Sequence, residues 1–119
     1  MKTPSATIVL LADRKQSQTA RALKGSGYQL MTTYTPDHAV AICVNNPVDM
    51  VILDQEHFIQ TEGWSVAKSV KMIRQKICVV LVVRGKMIGN QPPDGVDAVV
   101  PDHDAQALTA TIRHLLKGF

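Results

Sequence analysis

A chain of 119 residues, 45% hydrophobic and 19% charged, is the size of one compact domain, so a single unit spanning 1–119 is expected and no second domain is sought. Thirteen basic residues against ten acidic give a formal charge of +3. They are scattered along the sequence and form no basic stripe or reading helix, which argues against a direct nucleic-acid binder.

Thr7-Ile8-Val9-Leu10-Leu11 is a short apolar run that stops at Ala12-Asp13-Arg14 and reads as a first strand with Asp13 at its carboxyl end. The preceding Met1 to Ala6 carries Lys2 alone, and the run after it is too short for a signal-peptide core or a membrane span, so a cytoplasmic protein is expected. Lys15 to Lys24 is polar except for Ala20, Ala22 and Leu23, and Gly25-Ser26-Gly27 supplies a stop, which predicts a short first helix. Tyr28 to Tyr34 is rich in Thr and aromatic residues and alternates, as suits a half-exposed edge strand. Thr35-Pro36-Asp37 then combines an N-cap, a proline at the first helical position and an acid in the first turn. A second helix follows with Ala39, Val40, Ile42 and Cys43 on its buried face, and Asn45-Asn46-Pro47 ends it.

Val48 to Asp54 is an aliphatic run too short for a lone helix, the mark of a strand covered on both faces. It ends abruptly on Asp54, and in open α/β sheets functional groups are delivered at the carboxyl ends of such strands. Gln55 to Glu62 shows neither period and is expected to be a loop, with Gly63-Trp64 opening a third helix in which Trp64, Ala67, Val70 and Ile73 recur at helical spacing. Trp64 is read as core. Ile77 to Val83 is the most apolar run and makes a central fourth strand. Arg84 to Gly95 is loaded with breakers, so any helix there is very short. Val96 to Val100 makes strand five, and Asp104 to Lys117 the last helix, with Leu108, Ile112 and Leu115 at i, i+4 and i+7. Five strands alternating with helix-length connections imply a parallel α/β sheet. Cys43 and Cys78 lie in apolar segments without a second thiol at metal or redox spacing and are read as reduced core residues.

Over nearly its whole length the chain resembles the receiver domain of two-component response regulators. The features that carry the resemblance are Ile8 to Asp13, Gly27-Tyr28, Ala39-Val40, Pro47 to Asp54, Gly63-Trp64, Gly95-Val96-Asp97 and Ile112 to Lys117, in the family's order and at nearly its distances. The resemblance implies a flavodoxin-like (CheY-like) three-layer sandwich with a five-stranded parallel sheet of order 2-1-3-4-5, here with a short first helix and a shortened or missing fourth. It makes Asp54 the candidate phosphoacceptor, facing a sensor histidine kinase, and brings Asp13 beside it. It also implies a weak Mg²⁺ site built from Asp13, Asp54 and the Glu56 backbone carbonyl, since magnesium takes oxygen ligands and keeps several waters. No other cofactor is expected, nor is an enzyme.

Where the family has an acid pair, this sequence has Ala12-Asp13. A phosphoryl group arriving beside carboxylates needs cationic compensation, yet the family's lysine position is filled by Pro101 or Asp102. The strand-four hydroxyl position holds Val83, and the strand-five aromatic position holds Val99. Arg14 and Arg84 flank the pocket as charge partners, either replacing the lost lysine or locking Asp54 in an ion pair; the plainer alternative is solvated loop arginines. The Glu56 side chain entering the pocket would oppose phosphorylation, and His57 lacks a second ligand or nucleophile in sequence reach.

These residues lead to an atypical, degenerate receiver, a pseudo-receiver acting through protein contacts with phosphorylation of Asp54 impaired. The alternatives are a competent receiver with a rearranged pocket that uses Arg84 or Arg14, and a small flavodoxin-like ligand-binding domain or enzyme. A Rossmann-type enzyme is disfavoured because no glycine-rich cradle follows strand one. The last helix pattern ends within three residues of position 119, so no effector domain follows within this sequence.

Overall fold

Short aliphatic runs without helical period become parallel strands: β1 (Thr7–Leu11), β2 (Gln29–Thr33), β3 (Met50–Asp54), β4 (Cys78–Val83) and β5 (Ala98–Pro101). The computed structural model describes residues 6–11, 21, 23, 27–54, 60–83, 95–101 and 104–116, and of residues 54 and 60–65 the backbone alone. The strands form one sheet in the order β2-β1-β3-β4-β5, with every neighbouring pair parallel. Three helices are described: α1 (Pro36–Asn45), α2 (Gln60–Ile73) and α3 (Ala105–Leu115). None is long and apolar enough to cross a membrane.

Strand residues alternate between the faces, so a strand that is apolar throughout must be covered twice. On one face Val9, Leu11, Val51, Leu53, Val79, Leu81 and Val83 join Ala39, Ile42 and Cys43 of α1 and Val66, Ala67 and Val70 of α2. On the other, Ile8, Leu10, Met50, Ile52, Val80, Val82 and Val100 meet Leu23 and, from the last helix and its end, Leu108, Ile112 and Leu116. The result is a three-layer sandwich. β2, at the rim, is half exposed, as an edge strand is, though exposure along it does not alternate strictly.

Local chemistry fixes the helix ends. The Thr35 hydroxyl accepts the His38 backbone N–H at 3.2 Å, and Pro36 and Asp37 occupy the first turn of α1. At its other end the Asn45 and Asn46 side-chain amides donate to the Ala41 and Ile42 carbonyls, the second taking up an acceptor that a helix leaves unpaired. The Asp104 carboxylate caps α3 by accepting the Ala107 N–H at 2.8 Å.

The structure differs from the sequence reading in detail. Gln60, Thr61 and Glu62, expected in a loop, form the first turn of α2, and Gly63 lies inside the helix; with no apolar residue in that turn, there was no period to detect. Val66, absent from the expected face, is buried, and Ile73 is partly so. β3 begins at Met50 and β5 at Ala98, two residues later than expected, and β5 runs on to Pro101. In the last helix Leu116 is buried and Leu115 half-buried. Of the helix expected over 15–24, Arg21 and Leu23 are helical and Leu23 is buried; the rest of it, and the segment in which the fourth helix was expected to be shortened, lie outside the described residues.

Two aspartates organise the amino edge of the sheet. Asp49, just before β3, accepts the Thr7 N–H at 2.8 Å. Asp97, just before β5, accepts the Val79 N–H at 2.7 Å and pairs with Lys71 of α2 at 2.7 Å. Each carboxylate therefore secures the first amides of a neighbouring strand. Gly95, at φ +85°, lies so close to α2 that a Cβ on it would stand 3.2 Å from both the Ala67 carbonyl carbon and the Lys68 nitrogen.

Candidate functional site

Register places the carboxyl ends of the strands side by side. Thr33, Leu11, Leu53, Leu81 and Val99 form one continuous row across all five strands. Asp54 is one step further along β3, at its end, and pairs with Val82. The chain thus leaves β1 at Leu11 directly beside the strand that delivers Asp54. All three helices follow strands in the chain, and their N-terminal ends are at this same edge. The partial positive charge of unpaired N–H groups at helix starts favours carboxylates there, and Asp37 and Asp104 both occupy such starts.

The neighbours of Asp54 on the sheet are apolar. Val82 and Val100, which pair with each other, are both buried. Val83, the last residue of β4, is 5% exposed and belongs to the cluster of Leu11, Leu53 and Leu81. It has no hydroxyl to donate. Val99 is half-buried against the same cluster, and Pro101, paired with Val83 at the end of β5, is exposed. Asp13, Arg14, Glu56, His57 and Arg84 lie outside the described residues, as do Ala12 and Asp102 and the side chain of Asp54. Among the described residues no group of three His, Cys, Asp or Glu gathers at metal-binding distance.

One polar feature of this edge has no counterpart in the sequence reading. Thr33, at the end of β2, is 1% exposed and is the only buried polar side chain among the described residues. Its hydroxyl shares a 2.8 Å hydrogen bond with Nδ1 of His38 in the first turn of α1, which satisfies a group that would be costly to bury alone. The His three residues after an N-cap threonine is the local signal that marks it. The cysteines have no part in the edge: Cys43 is buried and Cys78 half-buried, and both are free. Burial pushes both thiols up from their ordinary value, with Arg74 pulling Cys43 partly back and Asp97 adding to the rise at Cys78.

No protein-family model matches this sequence, and no curated protein matches it. Solved structures do. A response regulator receiver domain protein (CheY-like) from Methanospirillum hungatei superposes with a TM-score of 0.77 at 17% identity, over 96% of this chain and 95% of that one. The fold is that of receiver domains. The signal receiver domain of an HD domain-containing protein from Pseudomonas fluorescens gives a TM-score of 0.79 at 17% identity, over 99% and 91%. A response regulator from Thermotoga maritima, in complex with Mg(2+)-BeF, gives 0.75 at 19% identity, over 92% and 98%. The same Thermotoga regulator also matches in a structure with a histidine kinase. At these identities the likeness is one of fold. Within the receiver fold Asp54 ends the third strand, Val83 ends the fourth and Val99 lies within the fifth.

Proposed function

We propose that residues 1–119 form a single atypical receiver domain of two-component, phosphorelay signal transduction, working in the cytoplasm through protein–protein contacts with phosphorylation of Asp54 impaired. The observation that carries this reading is the asymmetry at the carboxyl edge. Asp54 ends the central β3, while the β4 end beside it is Val83, buried among Leu11, Leu53 and Leu81. Phosphoryl transfer is catalysed mainly by positioning and charge compensation. A buried valine offers no hydrogen bond to a phosphoryl oxygen.

Mg²⁺ would be held by the Asp13 and Asp54 carboxylates and the Glu56 carbonyl, and would supply part of the charge compensation. With Ala12 in place of a second acid, the set is one carboxylate short. Oxygen donors suit the ion, and the Thermotoga neighbour that carries Mg(2+)-BeF supports the assignment. Partners are sensor histidine kinases or downstream signalling proteins, a reading supported by the neighbour that is in complex with a kinase. In the competing reading Arg84 or Arg14 replaces the missing lysine and the domain is phosphorylated fully.

The test is incubation with Mg²⁺ and a small-molecule phosphodonor, followed by intact mass, for the native chain and Asp54→Asn. Little or no gain of a phosphoryl group is expected. A stoichiometric gain that disappears in Asp54→Asn would establish the rearranged pocket instead, and a cofactor recovered with the purified protein would favour a flavodoxin-like ligand-binding domain or enzyme.

A further inference from the structure

We infer that the amino edge of the sheet, opposite Asp54, is a docking surface for an acidic amphipathic segment of a protein partner, centred on Met72. Of the cations scattered along the sequence, those among the described residues, Arg21 apart, gather at this edge. Among the described residues, every lysine and arginine other than Arg21 lies in the C-terminal half of α2 or α3 or in the turn into β4: Lys68, Lys71, Arg74, Lys76 and Arg113. Those segments are at the amino edge, because the helices run back against the strands. Lys71 reaches Asp97 before β5, and the Leu115 carbonyl lies 3.9 Å from Sγ of Cys78, the first residue of β4. The described acidic residues divide the other way. Among them Asp37, Asp54, Glu62 and Asp104 belong to the carboxyl edge, and Asp49 and Asp97, at the amino edge, are engaged by the Thr7 and Val79 amides.

Large hydrophobic side chains are exposed at only three described positions, and two are here. Met72 is 87% exposed and Val44 61%. Arg74 fastens together the helix ends that bear them, donating to the Cys43 carbonyl at 3.3 Å and the Asn46 carbonyl at 3.0 Å. Lys68 is one turn before Met72 on the same side of α2, and Lys76 follows in the turn. Among the described residues no ion pair engages either.

The charge of this surface selects an anionic occupant, and its apolar centre selects among anions. Interfaces are anchored by a few desolvated side chains within a charged rim, and methionine adapts to varied partners. A duplex phosphate backbone gains nothing from Met72 and Val44. A membrane demands a broad apolar face, but that of α2 is spent on the sheet through Val66, Ala67 and Val70. An acidic protein segment with apolar anchors matches both features. Docking there leaves the Asp54 edge uncovered, so the inference does not depend on phosphorylation.

The test is an amide chemical-shift titration of the full chain with a synthetic amphipathic helical peptide of Glu and Leu. Shifts at 43–46 and 68–76 are expected, with affinity about tenfold weaker in Met72→Ser and in the double variant Lys68→Glu/Lys76→Glu, and weaker again at high salt. Circular dichroism confirms that the variants are folded. Absence of shifts, shifts centred on the Asp54 edge, or affinity unchanged in both variants would overturn the inference. So would tighter engagement of the same amides by phosphatidylglycerol vesicles or duplex DNA, which would reassign the surface to that ligand.

Discussion

Gly95 and Gly27 provide a matched pair of perturbations that separates backbone strain from close packing. Both adopt positive φ, +85° and +95°. A Cβ on Gly27 meets nothing within 4 Å, whereas one on Gly95 meets the Ala67 and Lys68 backbone of α2 at 3.2 Å. Gly27→Ala therefore incurs only the left-handed backbone penalty of roughly 1–2 kcal/mol, offset by about 0.4–1 kcal/mol from a stiffer unfolded chain. The net loss is of order 1 kcal/mol. Gly95→Ala adds an overlap that no rotamer change can relieve, because the opposing atoms are main chain. Overpacking of that kind costs roughly 1–3 kcal/mol. Urea unfolding of the two variants should give midpoints separated by roughly 1 M, given slopes of about 1–3 kcal/mol per molar, with Gly95→Ala the less stable. Equal midpoints, or the reverse order, would refute the close approach of the 95–97 segment to α2.

Asp97→Ala removes the acceptor of the Val79 N–H as well as the partner of Lys71, and should cost about 2 kcal/mol in chemical denaturation; Lys71→Met, which breaks only a partly exposed ion pair, should cost under about 1 kcal/mol. Rebuilding the phosphorylation apparatus by Ala12→Asp, Val83→Thr and Asp102→Lys together should raise Asp54 labelling by a small phosphodonor at least tenfold, roughly the worth of one charge-assisted hydrogen bond, and intact mass reads the result. Both thiols should resist alkylation in the folded chain near neutral pH and react at once in denaturant. Because their folded pKa values are raised, the native state holds thiol protons that the unfolded state releases. Their contribution to stability is complete below the ordinary thiol pKa and is lost as pH rises through the folded values, so urea midpoints should fall on the alkaline side. Cys43→Ala should reduce that fall.

Much of this architecture is legible in the sequence because its strands are buried on both faces. The run that ends at Asp54 has no polar residue after Asp49, a pattern that fits only a covered strand, and Thr35-Pro36-Asp37 states its helix start locally. Of the candidate site, what was legible and is seen is the position of Asp54 at the end of β3 and of Val83 at the end of β4, both placed by counting along strands. What escaped depends on contacts distant in sequence. Nothing local to Asp49 and Asp97 marks them until register brings the Thr7 and Val79 amides to them. The start of α2 escaped because Gln60-Thr61-Glu62 offers no apolar residue to reveal a period. That Lys68, Lys71, Arg74 and Arg113 share one edge follows from helices running in one direction, a property of topology invisible to any count of charges.

The composition of the sheet's two rims bears on how the protein behaves when crowded. β5 is four residues long and ends on Pro101, which has no N–H to offer an incoming strand, and β2 is a five-residue strand with exposed Gln29 and Thr32. A stray chain seeking an open ladder would find little on either side to extend, since short rims and a terminal proline both discourage strand addition. In a sheet this apolar inside, such rims lower the tendency to add a foreign strand.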